Sequence, residues 1–117
     1  MDLLEKKIEK LEQTTDGVAA CNTILYLVKR INEQNREQVM AALMRYGDNG
    51  LVEFHRGFAV GKVVELMDKP DSGYSDFFMS CIQSGDSSKA YWGIGGYVKA
   101  VGKAACNALI PFVFLHD

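Results

Sequence analysis

Histidines, cysteines and clustered carboxylates carry most protein chemistry, and this 117-residue chain holds few of them at working spacings. Its two histidines, His55 and His116, stand far apart, and its three cysteines are Cys21, Cys81 and Cys106. No His-x-x-x-His, Cys-x-x-Cys or carboxylate–histidine cluster occurs, so no metal site is legible. No Gly-x-Ser-x-Gly elbow and no phosphate-cradling Gly-x-x-x-x-Gly-Lys-Ser/Thr loop occurs either. Gly93-Ile94-Gly95-Gly96 opens like a dinucleotide fingerprint, but Val98 stands where the third glycine belongs. No strand plausibly precedes it, and no cofactor is expected. A nucleophile could be assembled from one of the cysteines with His55 as its base. An odd number of widely spaced cysteines, each among apolar neighbours, instead suits buried thiols in a reducing compartment. The chain is therefore read as a non-enzyme, with a cysteine-dependent enzyme as the less favoured reading.

Charge points the same way. Lys and Arg total 13 against 15 Asp and Glu, a net charge of −2. A protein held on phosphate backbones needs a basic surface, and this one has no excess of cations. Tyr91, Trp92 and Tyr97 lie close to Lys89 and Lys99, a mixture that can bind single strands. Those lysines are few, so the aromatics are assigned to the core and no nucleic acid is expected. The imbalance is local: residues 51–88 hold six acids (Glu53, Glu65, Asp68, Asp71, Asp76, Asp86) against Arg56, Lys62 and Lys69. A negative middle suits a basic protein partner. Glu65, Asp68, Asp71, Tyr74 and Asp76 surround a turn that should be exposed, and they form the candidate partner-binding set.

Hydrophobic residues make up 48% and charged residues 24%, the mixture of a single soluble globular domain, here 1–117. Charges interrupt the first apolar residues, so no secretory core is expected. The longest charge-free run, Ala104 to Leu115, falls short of the roughly 20 residues of a membrane span. The expectation is a cytoplasmic protein with no membrane partner.

The elements that must position these residues read mainly as helices. Leu4, Ile8 and Leu11 stack on one face of a helix over 2–13, with Asp2 four residues before Lys6 as an ion pair. Thr14-Thr15-Asp16-Gly17 is a capping turn. A second helix spans 18–32 with the stripe Cys21, Ile24, Leu25, Val28 and Ile31. Asn35 and Gln38 form a capping box that opens a third helix, and Gly47 ends it. Lys69-Pro70-Asp71-Ser72-Gly73 is a break, after which Ser75 caps a short helix over 76–84. Gly85-Asp86-Ser87-Ser88 is another stop and cap. From Tyr91 a heptad-like seam runs through Ile94, Val98, Val101, Ala105 and Ala108, with glycines that imply close packing. Pro111 ends this helix, and Phe112–Leu115 should fold back over the second and fourth helices.

Residues 51–67 fit two periods. Val52, Phe54, Phe58, Val60, Val64 and Leu66 alternate as a strand would, while apolar residues also cover most of a helical circumference. An isolated hairpin is barely stable, so a central buried helix is preferred, with Gly57 and Gly61 four apart for close helix contact. The fold expected is an all-α, single-domain bundle of five or six helices. The alternative is α+β, with strands near 51–66 and 90–101.

Gly57-Phe58-Ala59-Val60-Gly61-Lys62-Val63-Val64-Glu65-Leu66-Met67-Asp68-Lys69-Pro70-Asp71 resembles the order found in small helical immunity proteins of interbacterial toxin systems. It reads as a glycine-containing apolar helix, then an acidic Asp/Pro turn, then a short helix. The resemblance implies a bacterial cytosolic protein that binds and occludes a toxin, in this case a basic toxin domain. The alternative is a helical structural or assembly protein that forms a homodimer through the seam from Tyr91 and the apolar C-terminal tail.

Overall fold

The computed structural model describes residues 2–102 together with Ala108 and Leu109. Within residues 2–102 six α-helices run in order: α1 (Leu3–Gln13), α2 (Gly17–Lys29), α3 (Arg36–Asn49), α4 (Arg56–Leu66), α5 (Ser75–Ile82) and α6 (Ser87–Val101). Single 3-10 turns over Glu53–His55 and Ser72–Tyr74 lead into α4 and α5. Among the described residues there is no strand, so the all-α reading holds and the strands considered near 51–66 and 90–101 do not form. The molecule is a slab of 45 × 29 × 17 Å, whose short axis holds fewer than two helix diameters.

Carboxylates start the helices at three of the expected places. Asp2, Asp16 and Asp86 each accept a backbone N–H of the first turn, so Asp2 acts as a cap rather than as the partner of Lys6. The expected capping box does not form. Asn35 instead closes the α2–α3 loop, accepting from Asn32 N at 2.8 Å and donating to Arg30 O at 3.0 Å. Ser75 lies inside α5, its hydroxyl donating to Ser72 O, and does not cap it. Gly47 does not end α3, which continues to Asn49; it sits buried in the helix, against Val60 and Phe77. The continuous helix expected over 51–67 starts only at Arg56. The helix expected through Ala108 ends at Val101, because Gly102 takes φ 76° and ψ −144°, a conformation reserved for glycine.

Glycines set the packing of the centre. α4 and α6 run side by side in the same direction, with Gly57 against Ser88 and Gly61 under the Trp92 indole. The close contact expected from the four-residue spacing of Gly57 and Gly61 is therefore present. α5 packs on the other side of α6, where Gly93 lies against Cys81 and Phe78 O, and Gly96 against the Phe78 ring. The glycine cluster of α6 is thus a helix-packing surface and not a phosphate loop. α3 lies antiparallel to α4, Gly47 meeting Val60 at one end and Arg36 reaching Leu66 O at the other. α1 and α2 form a hairpin, joined to α3 by Arg45 and Glu12 at 3.1 Å.

The core runs from Ile8 and Leu11 through Ile24, Leu27, Met40, Leu43, Tyr46, Val60, Val63 and Met67 to Phe78 and Cys81. Two stripes differ from expectation. In α2 the buried positions are Ala20, Thr23, Ile24 and Leu27, and Leu25 is exposed, because the face toward α1 and α3 is rotated from the most apolar one. In α6 the buried positions are Lys89, Gly93, Gly96 and Ala100, while Tyr91 and Val98 of the seam face outward. Leu109 is buried against Ile82, with Met79, Ile94, Tyr97 and Val101 around it. The tail over 112–117, with Cys106 and His116, lies outside the described residues.

Candidate functional site

The acidic turn joins the end of α4 to the start of α5, and its shape follows from how both helices end. The last carbonyls of α4 have no partners within the helix. Cations from other helices supply them: Lys99 of α6 donates to Val64 O at 2.8 Å, and Arg36 of α3 donates to Leu66 O. Positive groups at a helix C-terminus also oppose its dipole. Beyond this anchored end the chain emerges at Asp68, turns through Pro70, and re-enters a helical path when Asp71 accepts Gly73 N at 2.9 Å.

Each residue of the candidate set can now be placed. Glu65 is exposed and its Oε2 lies 3.1 Å from Lys62 Nζ. Asp68, the most exposed of the set for which a partner is present, lies 3.7 Å from the Arg36 guanidinium. Asp71 is exposed and holds the 3-10 turn. Asp76 is exposed in the first turn of α5, where a negative charge suits the helix dipole. Tyr74 is half-buried, its ring 6.5 Å from that of Phe78, which is itself fully buried. The structure therefore brings all five onto one segment bounded by two helix ends. Exposed ion pairs such as Glu65–Lys62 are weak, so the carboxylates keep most of their freedom to meet another cation.

Sequence reasoning missed the two cations that frame the turn. Arg36 is about thirty positions from Asp68 and carried no local signal of the pairing. Lys99 stands among the aromatic residues in sequence, but its ammonium donates to Val64 O. Lys89, beside the same aromatic residues in sequence, is only 8% exposed. Also missed was a second surface at the opposite end of α4. Phe54, 89% exposed, borders a cleft with Glu53, Asp86, Ser87 and Ser88, and Tyr91, one turn further along α6, is 70% exposed.

The thiol chemistry has a clear physical setting. Cys81 is fully buried, and that burial pushes its thiol from the ordinary value of 9.0 up to about 11, against a smaller opposite effect of Lys89. A protonated, enclosed thiol is a poor nucleophile. His55 rests against Gly17 at the start of α2, with its ring edge-on to Phe54 and Phe58. Among the described residues it makes no hydrogen bond to Cys21 or Cys81, and no group of three metal-ligating side chains is present. No helix among them is long and apolar enough to cross a membrane. No protein-family model, curated protein or solved structure matches the chain.

Proposed function

We propose that this chain is a non-enzymatic binding protein, most concretely a cytoplasmic immunity protein of bacterial type that neutralises a toxin by occluding a basic surface of it. The observation that carries the reading is the acidic turn. Glu65, Asp68, Asp71 and Asp76 are all exposed on one short segment whose two ends are tied to the core by Lys99, Arg36 and Phe78. Exposed carboxylates of one sign raise the encounter rate with a cationic partner, and their fixed positions select its orientation. Tyr74 supplies a rigid aromatic beside them, since its ring is already held by Phe78 and loses little freedom on binding.

Occlusion requires no reactive group on this chain, only a surface that stays folded while it covers another. The test is protection. If a neighbouring gene encodes a toxin domain, cells that express that domain should survive only with the intact chain, and neighbouring genes without one would count against the reading. The variant D68N/D71N/D76N should protect less and bind at least tenfold more weakly, with its circular dichroism unchanged. Undiminished protection by that variant would remove the turn from the mechanism.

A further inference from the structure

The start of α6 carries a group of charges that the acidic turn does not use. Ser84-Gly85-Asp86-Ser87 leads the chain from α5 into α6, and with Glu53, Arg56 and Lys89 it walls a cleft of about 420 Å³ that no apolar side chain lines. The cleft lies at the opposite end of α4 from the acidic turn, because Arg56 is the first residue of α4 and Leu66 the last. Lys89 is the informative residue. It is nine-tenths buried, yet among the described residues its ammonium makes no hydrogen bond and no ion pair. No polar side-chain atom among them is both sealed from solvent and without a partner, so the ammonium opens onto the cleft that Lys89 lines. An ammonium so far removed from water loses much of its hydration and gains from a counter-charge. Arg56, on the same cleft, donates from Nε to Gly50 O at 2.7 Å and keeps its terminal nitrogens free among the described residues. Acids are near without answering either cation. Asp86 is held by Ser88 N and Lys89 N, Glu53 is exposed, and Asp48 acts with Lys89 on the Cys81 thiol. No carboxylate among the described residues comes within 4.0 Å of Lys89 or Arg56.

We propose that this cleft binds a small oxyanion of phosphate type, held by the Lys89 ammonium, the terminal nitrogens of Arg56 and the first turn of α6. The donors differ in a way that suits this ligand. Lys89 is a point charge, Arg56 a planar fork, and the N-terminus of the 15-residue α6 the positive end of a helix dipole. A tetrahedral oxyanion presents oxygens in several directions and can meet all three, whereas a flat carboxylate satisfies the fork alone. The acids on the cleft oppose it weakly. The Asp86 carboxylate is already compensated by two backbone N–H groups, and exposed Glu53 is screened by water and salt.

Thermal melting of the full chain at fixed pH and ionic strength tests this, with inorganic phosphate, acetate and chloride as probes. Phosphate at ten times its dissociation constant should raise the melting temperature by roughly 3–5 °C, and acetate and chloride should not. Lys89→Met keeps the apolar stem and removes the charge, so it should fold and bind phosphate about tenfold or more weakly. The amide resonances of Ser87 and Ser88 should move on phosphate titration of the wild type and stay in place in Lys89→Met, a readout that does not depend on the stability of the variant. A wild type whose melting and amide resonances ignore phosphate would overturn the proposal. So would an equal response to acetate or chloride, or a Lys89→Met variant that binds phosphate as the wild type does.

Discussion

Gly95 and Gly96 differ in one respect: what stands opposite each. A Cβ on Gly96 would come within 2.4 Å of the Phe78 ring, which is fully buried and hemmed in by Phe77 at 5.4 Å between centroids. Gly96→Ala should therefore lower stability by about 1–3 kcal/mol through overpacking. Gly95→Ala should raise the stability of the dilute protein by about 0.5–1 kcal/mol, because it removes backbone freedom from the unfolded chain and meets no obstacle. Urea denaturation of the two variants at low concentration reads both values, and equal effects would mean that α6 is rotated from the orientation described. Cys81 gives a second prediction at this scale. Its thiol titrates higher in the folded chain than in the unfolded one, so between pH 9 and 11 the native state keeps a proton that the unfolded state has lost. Stability must then fall as pH rises through that window and be fully present below it. Tyr46, whose hydroxyl is also raised by burial, adds to the fall in the same direction. The drop in melting temperature from pH 8.5 to 10.5 should be smaller in Cys81→Ala than in the wild type. An unchanged drop would show that the Cys81 thiol is open to solvent.

Helices here are bounded by side chains that can be removed one at a time. Asp86 accepts both Ser88 N and Lys89 N at the start of α6, and Asp86→Ala should cost about 1 kcal/mol. Lys99 closes the far end of α4, and Lys99→Met should cost about 0.5–1.5 kcal/mol by leaving Val64 O without its protein donor. Thermal melts of each variant check these values. The second carries more meaning, because it also loosens the base of the acidic turn and should increase hydrogen exchange at residues 67–71. The caps made by Asp16 and Asp86 were legible in the sequence, since each acts within three residues of itself, whereas Asp2 is expected to pair with Lys6 and caps α1 instead. The caps made across helices were not. Lys99 and Val64 are brought together only by the packing of α6 on α4, which depends on Gly57 and Gly61. The same limit explains Gly47 and Gly102. Either could end or interrupt a helix, and the structure distinguishes them: Val60 and Phe77 pack against Gly47 inside α3, whereas Gly102 takes a positive φ that ends α6.

At the scale of the molecule, composition and period sufficed for an all-α fold, and most helix centres were placed correctly, though not their faces. α6 is the clearest case. Its largest apolar residues looked inward by period, yet the inward face is made of Gly93, Gly96 and Ala100, because α4 and α5 approach from two sides and leave space only for small groups. Tyr91 and Val98 are left outside as a consequence. The exposure of the acidic turn was legible as well, because an acidic segment interrupted by proline and glycine has little choice but to be a surface turn. What local sequence did not contain was its frame of Arg36, Lys99 and Phe78, which turns a charged loop into a fixed surface. The central claim is that this surface binds a basic protein without chemistry. Its most direct test is calorimetric titration of the intact chain with a candidate basic toxin domain taken from a neighbouring gene, at two salt concentrations. Binding should weaken with added salt and weaken at least tenfold in D68N/D71N/D76N. Affinity that is indifferent both to salt and to those three substitutions would contradict the account.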